Sequence, residues 1–384
     1  MTNTYESPWM NEELRIFREA ARRFLKKEFT PNIQKWSNAK LVDPAAWRRA
    51  GEAGLLCASI PEVYGGAGGT IAHEAVILEE LEHCGIGTSF GNTIHSGIVA
   101  HYILAYASEE QRRRWLPRMA TGELIGAIAM TEPGTGSDLQ SVRTTAKRDG
   151  SEYVINGQKT FITNGHNAGL IIVVTKTDLQ ARANGVSLLV VETEKCAGFR
   201  RGRNLEKIGM KASDTAELFF DDVRVPAENA LGEEEGQGFS QLMTQLPIER
   251  LLIAISAVAA IERAVSLTAD YVKDRTAFGK KLIEFQNTAF TLAERKTEGF
   301  IARVFIDYCI QQALAGRLDT VTASMAKWWT TDKQSETADE CLQMFGGYGY
   351  MAEYPISSMY VDSRVQRIYG GSNEIMKLLI SRHL

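Results

Sequence analysis

Apolar residues along the chain follow two different periods, and the change of period divides the chain into three parts. From residue 11 to 125 they recur every three or four positions, as at Leu14, Phe17 and Ala21, which predicts amphipathic helices. From about residue 126, short β-branched runs between Gly- and Asn-rich turns predict strands of an antiparallel sandwich or barrel. After about residue 237 the helical period returns in long segments, which predict a four-helix bundle.

Two local features of these patterns carry specific predictions. Asn156-Gly157 lies between apolar runs and predicts a type I′ hairpin turn. In the last part, Leu251 to Ile261 is apolar except for Ser256, and Glu249 and Arg250 stand at the head of this run. A carboxylate held against an apolar surface loses hydration, so its pKa rises. Glu249 is therefore a candidate general base, although an acid near a helix start usually only complements the helix dipole.

Composition narrows the possible classes of function. The 384 residues carry a net charge of -4, which argues against nucleic acid as a partner. The longest apolar run is too short for a membrane span, and we expect no signal or transit peptide. The five cysteines contain no CxxC pair and the six histidines show no metal-ligand spacing. We therefore expect reduced thiols, a cytoplasmic location and no metal site.

Five motifs stand in order along the chain. Each glycine alone is more often a turn or helix cap than a ligand contact, but glycine-rich loops and helix starts can also present N–H groups to phosphates or polar rings. The motifs are Met130-Thr-Glu-Pro-Gly-Thr-Gly-Ser-Asp138, Lys159-Thr-Phe-Ile-Thr-Asn-Gly165, Arg275-Thr-Ala-Phe-Gly-Lys280 with Gln286, Gln343-Met-Phe-Gly-Gly-Tyr-Gly-Tyr350 and Ile368-Tyr-Gly-Gly-Ser-Asn-Glu-Ile375.

Taken together and in this order, the five motifs resemble the acyl-CoA dehydrogenase family over essentially the whole chain, and most resemble its long-chain type. The resemblance implies an α+β protein with an N-terminal helical domain, a central antiparallel β-barrel and a C-terminal four-helix bundle. We place these domains at residues 1–125, 126–236 and 237–384. The resemblance also implies one FAD per subunit, a homotetramer, an acyl-CoA substrate oxidised to 2-enoyl-CoA in fatty acid β-oxidation, and an electron-transferring flavoprotein as acceptor.

Carried over residue by residue, the resemblance implies two sets of binding residues. Those for FAD are Ile128, Met130, Thr131, Gly136, Ser137, Phe161, Thr163, Arg275, Phe278, Gln286, Gln343, Gly346, Gly347, Ser372, Asn373 and Glu374. Those for the substrate are Ser137, Arg250, Gly370 and Gly371. Phe161 stands where many relatives have tryptophan.

One position departs from the common pattern of the family. Many members carry the catalytic glutamate directly after the tyrosine of the fifth motif, where this chain has Gly370. Long-chain and isovaleryl-type members carry this glutamate on the bundle helix, one residue before an arginine. In this chain that position is Glu249, directly before Arg250. We therefore predict Glu249 as the base, with Glu132 and Glu374 as weaker competitors. The Gly370 N–H could still polarise the thioester carbonyl.

Several alternatives stay open at this point. A straight long or medium acyl chain is the leading substrate, and a branched or isoprenoid chain is the alternative. An oxidase that uses O₂ keeps the same residues. A non-catalytic binder of CoA thioesters would need neither the base nor the flavin residues.

Overall fold

The computed structural model describes residues 5–384, with Lys195 described by its backbone alone. The first part of the chain is helical. Asn11 begins its first helix, because the Asn11 side chain accepts a hydrogen bond from the Leu14 N–H at 2.9 Å and so satisfies a free helix-end donor. The helices are α1 (Glu12–Glu28), α2 (Ile33–Ala39), α3 (Pro44–Glu52), α4 (Ile71–Cys84), a π-helical segment (Thr93–Val99), α5 (Ala100–Tyr106) and α6 (Glu109–Ala120).

The second part forms a curled sheet. Its strands are β1 (Gly126–Ala129), β2 (Thr145–Asp149), β3 (Glu152–Thr163), β4 (Leu170–Lys176), β5 (Val186–Glu192), β6 (Phe199–Asn204) and β7 (Thr215–Pro226). They lie in the order β1-β4-β2-β3-β7-β6, with β5 paired to β4. β4 runs parallel to β1 and β2, whereas the other pairs are antiparallel.

The sequence of β4 is apolar from Leu170 to Val174 because both faces of the strand are covered. Ile172 and Val174 pack with Tyr102 and other residues of the helical part, while Ile171 and Val173 face the interior of the sheet. A strand covered on both faces favours apolar side chains at successive positions, as from Leu170 to Val174.

The predicted hairpin turn at Asn156-Gly157 is wrong. Both residues lie inside β3, at a register shift where β3 pairs with β7. A Cβ at residue 157 would meet the Thr144 Oγ1 at 2.5 Å, so glycine is needed for close strand approach rather than for a turn. The Asn156 side chain bonds Asp222 across the sheet, and the β2–β3 turn lies instead at Gly150, whose φ is +62°.

The third part is built around one long helix. Its elements are α7 (Gly238–Asp274), β8 (Thr276–Ala277), β9 (Lys280–Lys281), α8 (Gln286–Leu314), α9 (Thr320–Met344), α10 (Pro355–Ser363) and α11 (Asn373–Ser381). α7 continues through Pro247 and packs against α4, α8 and α9. The predicted apolar run is therefore buried on all sides, as expected of a helix that is hydrophobic all round.

The composition of α7 would also suit a membrane span, but 72% of its most apolar window is buried inside the protein. The predicted helix–sheet–helix fold class is confirmed. Three of the long helices expected for the bundle are present, namely α7, α8 and α9, and the C-terminal part then ends in two helices of nine residues each, α10 and α11.

Candidate active site

Glu249 lies on α7 and is enclosed where the helical parts meet. Its carboxylate is 5% exposed, and the hydroxyl of Tyr102, on α5, donates a hydrogen bond to Oε1 at 2.8 Å. Burial raises the pKa of Glu249 to about 7, although the Tyr102 hydrogen bond and the Arg250 charge oppose the rise. A carboxylate with this pKa can accept a proton near neutral pH.

Gly370 lies against the same face of α7. A Cβ at residue 370 would come within 2.4 Å of the Ile253 Cδ1, and the φ of Gly370 is +65°. Ile253 is four residues after Glu249 and therefore shares its helix face. The structure thus brings the glycine turn next to the candidate base, and it leaves no room for a side chain at residue 370 unless Ile253 moves.

The two competing acids, Glu132 and Glu374, accept hydrogen bonds that keep them ionised. The Glu132 carboxylate accepts hydrogen bonds from the buried Lys159 ammonium at 2.8 Å and from the N–H groups of Arg143 and Thr144 at 2.6 and 2.9 Å. Burial favours a higher pKa for Glu132, but Lys159 and Thr144 outweigh it and hold the pKa below its usual range. Glu374 is exposed at the start of α11, and its own N–H and the Ser372 hydroxyl lower its pKa. Neither is tuned to accept a proton at neutral pH.

The first and second motifs adjoin each other. Lys159 donates to the Met130 carbonyl at 3.0 Å, and the Thr160 N–H donates to the Thr131 carbonyl at 2.9 Å. Between Lys159 and Ile162, β3 contains a register shift, and Phe161 at this point has a φ of +60°. The shift turns the Phe161 ring outward, so that it is 66% exposed.

Other residues predicted to bind the cofactor, in and beside these two motifs, are exposed or half-buried. Gly136 and Ser137 are exposed, and no atom lies within 4 Å of a Cβ built at residue 136. Ile128 and Thr163 are half-buried. An exposed aromatic ring beside an open glycine loop fits a planar ring such as that of a flavin, since the loop admits close approach and the aromatic face can stack.

The third and fourth motifs meet at another place. The Arg275 guanidinium lies 5.7 Å from the centre of the Tyr348 ring, which joins the β8–β9 hairpin to the glycine pair after α9. Arg275, Gln286, Gln343, Gly346 and Gly347 are all exposed, and the Phe278 side chain is 95% exposed. An unburied guanidinium beside exposed aromatic rings fits a diphosphate with an attached ring system.

The fifth motif is anchored by side chains of α9. Ser372 begins α11 by accepting from the Ile375 N–H. Asn373 is buried, and its amide donates to Thr331 and Asp332 at 3.0 and 2.9 Å. The Asn373 side chain is thus used within the protein, so only its backbone is left for a cofactor.

Arg250 also faces α9. It is 4% exposed, and its Nη1 lies 3.4 Å from the Ser324 hydroxyl. The buried Arg250 Nε has no partner within the described part of the chain. A substrate group is one partner that such a donor could take.

Three residues that contact the predicted site were given no role from the sequence, although Lys159 begins the second motif. Tyr102 bonds Glu249, Lys159 bonds the first motif, and Lys327 bonds the Gly371 carbonyl at 2.7 Å. None belongs to a pattern that points at its partner, although a lysine within the small-residue segment Ala323-Ser-Met-Ala-Lys327 could have been noticed as a buried cation.

A near-neutral carboxylate enclosed between the two helical parts is the arrangement of an acid–base enzyme. Comparison with known proteins identifies the family of enzymes to which the chain belongs. Family models of the acyl-CoA dehydrogenase N-terminal, middle and C-terminal domains match residues 11–123, 127–223 and 236–384. The chain belongs to the acyl-CoA dehydrogenase family of oxidoreductases, as the motifs predicted.

Individual relatives agree over nearly the whole chain. The long-chain specific acyl-CoA dehydrogenase of Mus musculus mitochondria is 51% identical, over 96% of this chain and 86% of that protein. The crystal structure of an acyl-CoA dehydrogenase from Geobacillus kaustophilus is 50% identical, covers 98% of this chain and 99% of its own, and has a TM-score of 0.96. A glutaryl-CoA dehydrogenase from Mycobacterium smegmatis in complex with FADH2 is 28% identical, with 97% and 95% coverage and a TM-score of 0.91.

Proposed function

We propose that this acyl-CoA dehydrogenase removes the α-proton of an acyl-CoA thioester with Glu249 and forms the 2-enoyl-CoA. The enclosure of Glu249, with a pKa of about 7 and the Gly370 turn against its helix face, carries the proposal. Arg250 follows Glu249 on α7, and the Gly370 turn meets the Ile253 side chain on the same helix face. We assign to the Gly370 N–H the polarisation of the thioester carbonyl, which acidifies the α-carbon.

FAD is the cofactor we propose, held by the motif residues named above, with Phe161 against its ring and Arg275 at its diphosphate. When bound, FAD accepts the hydride that leaves the β-carbon and so completes the oxidation. The FADH2 complex of the M. smegmatis relative and the open surface around Phe161 support this assignment. Around that surface the chain supplies the aromatic face of Phe161 and the N–H groups of the glycine loop. The guanidinium of Arg275 belongs to the other place, where the third and fourth motifs meet.

For the substrate we propose a long or medium straight acyl chain, supported by the long-chain specificity for which the mouse relative is named. Branched or isoprenoid chains are the competing substrates. The proposed acceptor is an electron-transferring flavoprotein. Anaerobic bleaching of the flavin by a panel of acyl-CoA thioesters ranks the chains, and peroxide formation in air would instead identify an oxidase.

We also propose a homotetramer. Ile301, Val304 and Tyr308 follow helical spacing on α8 and are 52%, 42% and 50% exposed, and Phe290 on the same helix is 57% exposed. An apolar face of this kind marks an interaction surface. Light scattering after gel filtration measures the assembly, and a monomeric holoprotein would contradict the proposal.

The base assignment is tested with Glu249→Gln, which keeps the shape and removes the charge. We expect acyl-CoA turnover with an artificial acceptor to fall by about 10²–10⁴-fold, the usual contribution of a general base, with flavin content unchanged. Asp270→Asn, which changes an exposed acid of the same helix, is the matched control and should retain turnover. Full activity of Glu249→Gln would exclude Glu249 as the base.

A further inference from the structure

Lys327 lies in the middle of α9 with its ammonium fully enclosed. It is 0% exposed, and it forms no ion pair with any carboxylate of residues 5–384 under a 4.0 Å limit. Its Nζ donates instead to the Gly371 carbonyl at 2.7 Å and to the Asn373 Oδ1 at 2.8 Å. Enclosing a cation with no carboxylate in direct contact is costly, and the more distant Asp332 and Glu374 offset only part of that cost. A purely packing role would therefore be served better by an apolar side chain.

The surroundings make this lysine easier to deprotonate. Burial, followed by the positive charge of Arg250, lowers the pKa of Lys327 to about 7. A neutral amine still has two hydrogens, which are enough for the Gly371 carbonyl and the Asn373 oxygen. The two hydrogen bonds therefore do not depend on the charge of Lys327.

Gly370 and Gly371 have no side chains that could anchor them. Gly370 and Gly371 have φ values of +65° and +91°, in the region that glycine enters freely. On one side the turn meets Ile253 of α7, and on the other it is bonded by Lys327 of α9. Because α7 and α9 pack against each other, the turn is held between two elements of one rigid unit.

We propose that Lys327 is a positioning residue for the dehydrogenation: it fixes the Gly370–Gly371 turn so that the Gly370 N–H keeps its place relative to Glu249. This inference rests on the function proposed above. The polarised thioester carbonyl and the proton-accepting carboxylate must act on adjacent atoms of one substrate, and a misplacement of about 1 Å can cost about 100-fold in rate.

The test compares Lys327→Met with Lys333→Met in the holoenzyme. Lys333 is on the same helix but is part-exposed and pairs with Glu298 and Glu336 at 3.1 and 2.7 Å. For Lys327→Met we expect amide hydrogen exchange in residues 368–374 to quicken by at least about tenfold, and kcat to fall by at least about tenfold with KM little changed. Lys333→Met should change neither.

Two results would overturn the inference: unchanged exchange in residues 368–374, or faster exchange with kcat unchanged. If Lys327→Met does not fold, Lys327→Gln keeps a shorter donor in the same place and is measured in the same way. An inactive wild-type protein would remove the proposed function, whereas the exchange measurement would still report whether Lys327 holds the turn.

Discussion

The hydrogen bond from Tyr102 to Glu249 should set the pH at which the enzyme works. The Tyr102 hydroxyl donates to Oε1 at 2.8 Å, which stabilises the charged carboxylate and holds the pKa of Glu249 down to about 7. A hydrogen bond to a charged group contributes about 1.5–3 kcal/mol. At 1.36 kcal/mol per pKa unit, Tyr102→Phe is expected to raise the pKa by about 1–2 units.

The sign of the effect on rate follows from the role of Glu249. A base must be deprotonated, so kcat/KM rises with pH through its pKa. With the pKa moved upward by about 1–2 units, the rate at pH 7 should fall by about 5- to 50-fold and recover as the pH approaches the new pKa and passes it. The measurement is kcat/KM from pH 6 to pH 10 with an artificial electron acceptor, at matched flavin content.

The matched control is Tyr106→Phe. Tyr106 is one turn along α5, and its hydroxyl donates to the Gln241 carbonyl at 3.3 Å rather than to Glu249. Its pH profile should keep the wild-type midpoint. An unmoved midpoint in Tyr102→Phe would refute the electrostatic reasoning, and an equal loss at every pH would mean that Tyr102 acts through packing.

Two further predictions concern stability. Gly370→Ala should destabilise the protein, by about 1–2 kcal/mol for a left-handed φ and a further ~1–3 kcal/mol for overpacking. Ile253→Val removes the Cδ1 that a new Cβ at residue 370 would meet at 2.4 Å. Denaturation of the Gly370→Ala/Ile253→Val double variant should therefore show that the overpacking cost is recovered while the cost of the left-handed φ remains. If the free-energy changes of the two single variants simply add, the contact is contradicted. Lys159→Met leaves Glu132 buried without its cation and should cost about 3–5 kcal/mol, with weaker flavin retention as the Met130 carbonyl loses its donor. Adding Glu132→Gln should restore most of the melting temperature, and an unchanged melting temperature in the single variant would argue against a structural role for the pair.

Local patterns predicted the helix–sheet–helix order because they report on short stretches of chain. Asn11, Asp319 and Ser372 cap α1, α9 and α11 through their own side chains, and such signals can be read within four residues. The prediction of a hairpin turn at Asn156-Gly157 was wrong because the same dipeptide occurs both in turns and in strand bulges. The neighbouring strand decides between the two, and Thr144 approaches closely enough to require glycine.

The candidate base was predicted from the sequence chiefly through the resemblance to long-chain and isovaleryl-type members. The burial of its apolar helix explains how the Glu249 carboxylate loses hydration. The partners of the base could not be found in this way. Tyr102 is 147 positions from Glu249 and Lys327 is 44 positions from Gly371, and hydrogen bonds depend on distance and angle in space. The sequence alone therefore determined which groups can carry the chemistry. Tertiary packing decided which neighbours set their pKa values and hold them in place, because it brings these distant positions together.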